Sequence, residues 1–203
     1  MSEMTSKDDS VDKTLLRVSF YEMMLGNFDR LPETDKKVFT HGPFYLGANS
    51  ALAGLIANSF YRRVLNVAQA RIASSLPMAV LPFVTTVILY DAAIKNPLLY
   101  GDINCPTCVL LRGAVVGVFG GGLYPILLAL PVNASLAARY NTTPMPEKGN
   151  IFRFFMDISK PVLRKMRVVL VFQAIFGTYL SSRHFDTYVS LAKMTLGDEE
   201  LKD

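Results

Sequence analysis

A chain of 203 residues is long enough for one domain, but 51% hydrophobic residues against 19% charged ones point away from an ordinary water-soluble one. The mean hydropathy of +0.28 points the same way. The net charge of +4 is concentrated beside apolar runs, which makes anionic lipid the expected partner and excludes nucleic acid.

Residues 1–41 read as an N-terminal tail with one amphipathic helix. The start, MSEMTSKDDS, is polar; from Val11 to Leu25 apolar residues recur at helical spacing, with Leu16, Phe20, Met23 and Met24 along one side. Such a helix lies on a membrane or a partner, or packs on its own bundle. Glu3, Asp8, Asp9 and Asp12 are unlike an acid-poor transit peptide, so mitochondrial targeting would use internal segments.

Residues 42–182 read as a four-helix transmembrane domain. Lys, Arg, Asp and Glu are absent from 42–61, 72–90, 113–138 and 168–182, and roughly 20 apolar residues cross a hydrocarbon core of about 30 Å. The last window is short, but a helix begun at Pro161 reaches spanning length if Arg164, Lys165 and Arg167 snorkel toward the headgroups. The predicted spans are approximately 42–61, 72–94, 113–138 and 161–182, with 183–203 as a polar C-terminal tail. An all-α, polytopic membrane protein is expected: a four-helix transmembrane bundle with amphipathic N-terminal and interfacial helices. The interfacial segment lies at 141–159, where Pro144, Pro146 and Gly149 precede Ile151, Phe152, Phe154 and Phe155. The competing reading is a soluble all-helical core.

Basic residues flank these windows. Arg62, Arg63 and Arg71 occupy the first connection, and Arg139, Arg164, Lys165 and Arg167 the third, while the second balances Asp91 and Asp102 against Lys95 and Arg112. The positive-inside rule then puts connections one and three on the cytoplasm-like face, which in a mitochondrion is the matrix, and both termini on the other side.

In the third window Gly113, Gly117 and Gly121 recur every four residues. In lipid, helix association depends on close backbone approach, and this spacing makes a flat groove. Gly47 with Ala51, or Ala53 with Ala57, offers a complement in the first helix; a different protein docking in the groove is the functional reading. Pro125 and Pro131 each remove a backbone donor and predict a kink or partial break. A broken helix is the best sign of a transporter, but no ionisable residue shares the window.

Cys105 and Cys108, in CPTC, are the only cysteines, and His41 and His184 the only histidines. The pair reads as a local disulfide or as two idle thiols. No metal, cofactor or catalytic set is expected, and the chain is not expected to be an enzyme.

Segments GLIANSFYRRVLNV (54–67), ARIASSLPMA (70–79), GDINCPTC (101–108), GGLYPILLALPVNASLAARY (121–140), KGNI (148–151) and SKPVLRKM (159–166) occur in this order. Together they resemble the transmembrane protein 126 family, and its A branch more than its B branch, although NFDRL at 27–31 is closer to the B branch. The resemblance implies a multi-pass mitochondrial inner-membrane protein, not an enzyme, that acts as a chaperone-like assembly factor for respiratory complex I. The A branch implies newly made membrane-arm subunits of the distal module as partners; the B branch implies other assembly factors in a proximal intermediate. Basic pockets near the matrix leaflet suit cardiolipin. The face of Gly113, Gly117, Gly121 and Pro125 is expected to contact a client helix while the basic loops hold the register. A small transporter or channel, or a membrane-shaping protein, is the alternative.

Overall fold

The computed structural model describes residues 18–19, 21–143 and 150–200, and among them every regular element is helical. A short helical segment at 21–28 leads into four long helices. These are α1 (Glu33–Val64), α2 (Arg71–Leu99), α3 (Pro106–Tyr140) and α4 (Ile151–Glu200).

Local chemistry sets the ends. Glu33 and Asp35 open α1, and Arg62 and Arg63 close it, in the sense the helix dipole favours. Cys105 caps α3, its sulfur accepting from the Cys108 N–H at 3.3 Å, and Pro106 takes the first turn, where no amide donor is needed. The irregularity expected at Pro125 takes the form of a π-helical turn, Phe119–Leu123; α2 carries another, Asp91–Lys95, two residues before Pro97. A side chain recovers a carbonyl at each: Ser50 Oγ donates to the Gly120 carbonyl at 3.2 Å, and Arg112 Nη1 to that of Ala93 at 3.2 Å. Thr86 Oγ1 donates in turn to Ser50 Oγ at 2.9 Å, so α1, α2 and α3 are tied at the π turn of α3.

α1 packs against each of the other three helices, and the first half of α3 forms the most extensive pair with α4. One core cluster gathers Leu46, Tyr90, Leu98, Val109 and Leu191; a second, nearer the other end, gathers Ala57, Tyr61, Met78, Ile126 and Met166. The first and third connections meet at one end, where Thr142 and Thr143 both donate to the Leu65 carbonyl. The second connection lies at the other end, beside the 21–28 segment and the C-terminal half of α4: Tyr100 stacks on Tyr21, and Tyr188 donates to Asn104 at 2.8 Å.

Polarity is turned inside out. Ser50, Thr86, Asn133, Gln173 and Ser181 are buried, whereas Ile72, Leu76, Leu127, Val168 and Ile175 are exposed. By length and apolarity α2 and α3 can cross a membrane. Where the sequence predicts four spans, α1 and α4 do not meet the same measure, because polar residues such as Asn49 and Asn58 dilute the α1 window and the charge-free part of α4 is short.

The ends of the expected domain also differ. α1 begins at Glu33, within the expected tail. Residues 183–200, expected as a polar tail, continue α4, because His184, Thr187, Tyr188 and Leu191 are buried against the bundle. Of the expected amphipathic helix, Leu16 and Phe20 lie outside the described residues; Met24 is fully buried, its sulfur 3.7 Å from Thr195 Oγ1, so this part packs on its own bundle. In the expected interfacial segment, 144–149 lie outside the described residues, and Phe154 packs beside Leu65, Val67 and Ala137.

Candidate functional site

At the seam between α3 and α4, backbone meets backbone. A Cβ on Gly113 would come within 2.6 Å of the Gly177 carbonyl, one on Gly117 would strike the Gln173 carbonyl, and one on Gly177 would strike the Gly113 carbonyl. Gly121 continues the line against the Gln173 side chain. The groove is therefore filled from within the chain, and by α4 rather than α1. Gly47 and Gly54 of α1 lie instead against Phe83 and Met78 of α2. Gly113, Gly117, Gly121 and Pro125 are all buried, which leaves none of them to a client helix.

Toward the second connection, Tyr90 Oη lies 3.2 Å from His184 Nδ1 and 3.3 Å from Ser181 Oγ, and His184 Nε2 faces the Val38 carbonyl at 3.0 Å. A carbonyl only accepts, so Nε2 carries the proton and Nδ1 accepts from the Tyr90 hydroxyl. His184 sits just past the fourth charge-free window, and burial lowers its pKa to about 4, leaving a neutral imidazole. Buried and internally satisfied, the cluster joins α1, α2 and α4 and offers a substrate no opening.

The opposite end is basic. Between the end of α1 and the start of α2 lies a cavity of about 650 Å³ whose walls include Asn58, Arg62, Arg63, Arg71 and Ser75. Arg62 is only 8% exposed. Its Nη1 donates to Ser74 Oγ at 2.9 Å and its Nη2 to the Gln69 carbonyl at 2.8 Å. Behind it, Asn133 donates to Asn58 Oδ1 at 2.7 Å, and Asn58 donates to Ser74 Oγ at 3.3 Å, so the network links α1, α2 and α3. Burial, and then the charge of Arg71, hold the Arg62 guanidinium below the ordinary arginine pKa.

Of the predicted flanking residues, the structure thus brings Arg62, Arg63 and Arg71 together. Arg63 also lines a small apolar crevice with Phe60, Val162 and Lys165, whose Nζ sits 5.3 Å from the Phe60 ring. Arg164 and Arg167 lie beside Val168 and Val171, and Arg139 is exposed in the last turn of α3; none of these three lines the cavity. Cys105 and Cys108 are free and exposed, and hydrogen bonding from Cys108, side chain first and backbone next, lowers the Cys105 pKa. Among the described residues no group of three or more His, Cys, Asp or Glu is placed to hold a metal.

Sequence reasoning did not single out Asn58, Ser74, Tyr90 or Gln173. The signal was present: polar side chains inside charge-free windows are those expected to turn inward and join helices.

The family model described as transmembrane protein 126 matches residues 18–198. The chain is 47% identical to transmembrane protein 126A of Mus musculus over 197 residues, covering 97% of this chain and 96% of the relative. It is 43% identical to transmembrane protein 126A of Homo sapiens, covering 85% and 89%. It is 30% identical to the mitochondrial complex I assembly factor TMEM126B of Mus musculus, covering 75% and 66%. No solved structure matches.

Proposed function

Because the chain belongs to the transmembrane protein 126 family, we propose that it is a multi-pass protein of the mitochondrial inner membrane that assists the assembly of respiratory complex I. The observation that carries this reading is its similarity to relatives named complex I assembly factors. The higher identity to relatives named transmembrane protein 126A favours the A branch, and with it subunits of the distal membrane arm as clients.

In this reading all four helices cross the bilayer. The support is the exterior: Tyr45, Leu52 and Ile56 on α1 and Val168, Val171, Ile175 and Tyr179 on α4 are exposed at helical spacing, like the outer faces of α2 and α3. In water such a surface would drive association; in lipid it is the solvated side. Connections one and three, which meet at one end, face the matrix with Arg62, Arg63 and Arg71, and both termini face the intermembrane space.

The protein acts by covering rather than by chemistry. A membrane-arm subunit inserted before its neighbours exposes unpacked helix faces and backbone breaks to lipid, and a small bundle shields them until the neighbours arrive. Since the glycine seam is filled, client contact uses the outer helix faces. The test is affinity capture of the tagged full chain from gently solubilised mitochondria, with mass spectrometry of native-gel slices. Recovery with distal membrane-arm subunits below the size of the mature enzyme is expected. Migration alone, combined with solute movement by the purified protein in liposomes, would replace this reading with a transporter.

A further inference from the structure

We propose that the cavity between the end of α1 and the start of α2 binds a phosphate group, held by Arg62, Arg63 and Arg71. The inference stands apart from the assembly reading, since it concerns what fills a cavity in this chain and not which client the chain serves.

Among the described residues the charge of Arg62 is uncompensated. Arg62 is nine-tenths buried, and the acceptors of its two hydrogen bonds, a hydroxyl and a carbonyl, are neutral. Among the described residues no carboxylate pairs with Arg62, Arg63 or Arg71; the ion pairs there involve Lys36, Lys95, Lys160 and Arg183. A guanidinium packed this closely among neutral partners favours an anion beside it, and the space of about 650 Å³ on its open side is where a counter-charge can sit.

The chemistry of the walls suits a phosphate. Three guanidinium groups supply planar forks of donors that match phosphate oxygens, and Asn58 and Ser75 add neutral polar groups, while among the described residues no acid lines the cavity. α2 starts on the same wall at Arg71, and its N-cap, Ala70, supplies no side-chain acceptor, so the first-turn N–H groups add to the positive potential. Ser74 and Gln69 hold the Arg62 guanidinium in place before any ligand arrives, which reduces the ordering cost of binding.

Position points to the source of the phosphate. The charge-free windows 42–61 and 72–90 both end at this cavity, which sets it at the headgroup level of the leaflet. Arg63 is shared with the apolar crevice at Phe60 and Val162, so an apolar path begins beside the basic one. A phospholipid diester meets both surfaces; a free phosphate meets only one.

The test uses the full-length protein in phosphatidylcholine nanodiscs containing or lacking cardiolipin, with retained lipid measured by native mass spectrometry. A parallel arm follows thermal unfolding in neutral detergent with and without inorganic phosphate. R63Q and R71Q carry the test because both side chains are exposed and neither is needed for the internal network; R139Q is the charge-matched control outside the cavity. Retained cardiolipin is expected to bind about fivefold more weakly for each cavity arginine removed, with R139Q unchanged. Stabilisation of the parent protein by phosphate alone, lost in R63Q and R71Q and without preferential lipid retention, supports the site and assigns it a free phosphate. Equal lipid loss in R139Q, or parent-like behaviour of R63Q and R71Q in both arms, overturns the proposal.

Discussion

Adding one methyl group at the α3–α4 seam tests whether the seam is closed in the native protein. An Ala Cβ at position 113 would strike Ser181 Oγ, which can rotate away, and would lie 2.6 Å from the Gly177 carbonyl, whereas ordinary contact begins at 3.4 Å, so the backbones must part by about 0.8 Å at that point. Overpacking of this kind costs about 1–3 kcal/mol, and the better helix propensity of Ala returns up to about 1 kcal/mol. Gly113→Ala and Gly177→Ala are therefore each expected to lose about 1–2 kcal/mol, and Gly117→Val more, because its branched side chain would press on the Gln173 backbone. Both alanines push the same pair of helices apart, so the double variant should lose less than the two losses added together. Gly197→Ala is the control: a Cβ there meets nothing within 4 Å, and it should leave stability unchanged or slightly raised. The assay is reversible unfolding in mild detergent, read by circular dichroism. Seam variants as stable as the parent would refute the reasoning and return the groove to the surface, open to another protein.

Stability should also depend on pH through His184. Its pKa of about 4 in the fold lies below the ordinary value of 6.5, so the unfolded chain takes up the proton first. Stability is then level above pH 6.5 and falls by up to about 1.4 kcal/mol per pH unit down to pH 4; His184→Gln should flatten that slope in a denaturant titration. Asn133→Ala removes the donor to Asn58 and should cost about 0.5–2 kcal/mol by the same unfolding assay; an unchanged midpoint would mean the Asn58–Asn133 link adds nothing. At the second connection, Cys105 should be alkylated by iodoacetamide faster than Cys108 near neutral pH, by peptide mass spectrometry, because only its pKa is lowered. Equal rates would contradict the capping geometry.

Charge-free windows made the middles of the helices legible, since nothing but a helix satisfies the backbone over such lengths in lipid. Their ends were not, because beyond the windows packing decides: Tyr188 and Leu191 hold α4 helical through a stretch whose charges read as a tail. The spacing of Gly113, Gly117 and Gly121 announced a close approach but not its partner; Gly177 is the lone glycine of its window, and its small neighbour four residues on is Ser181, a weaker signal than a second glycine. Pro125 announced an irregular helix, while the π turn depends on Ser50, a long way off in sequence, donating to the loose carbonyl. Arg62 read as one of several flanking charges. Its burial is a tertiary fact, set by Ser74 and Gln69 across the loop.

The glycines have a consequence for how the chain comes together. α1 and α2 close on each other through Gly47 and Gly54, and α3 and α4 through Gly113, Gly117 and Gly177. Each consecutive pair is thus a hairpin whose inner seam is made of bare backbone contact, which either hairpin forms from its own residues. Several contacts between the hairpins are of another kind: Ser50 to Gly120, Asn58 to Asn133, and Tyr90 to His184. In the proposed four-span reading, insertion divides into two steps, one per hairpin, and the join between them is written in directional hydrogen bonds that accept one register. A wrongly docked pair of hairpins would leave those polar groups without partners, a cost that favours the one register in which they meet.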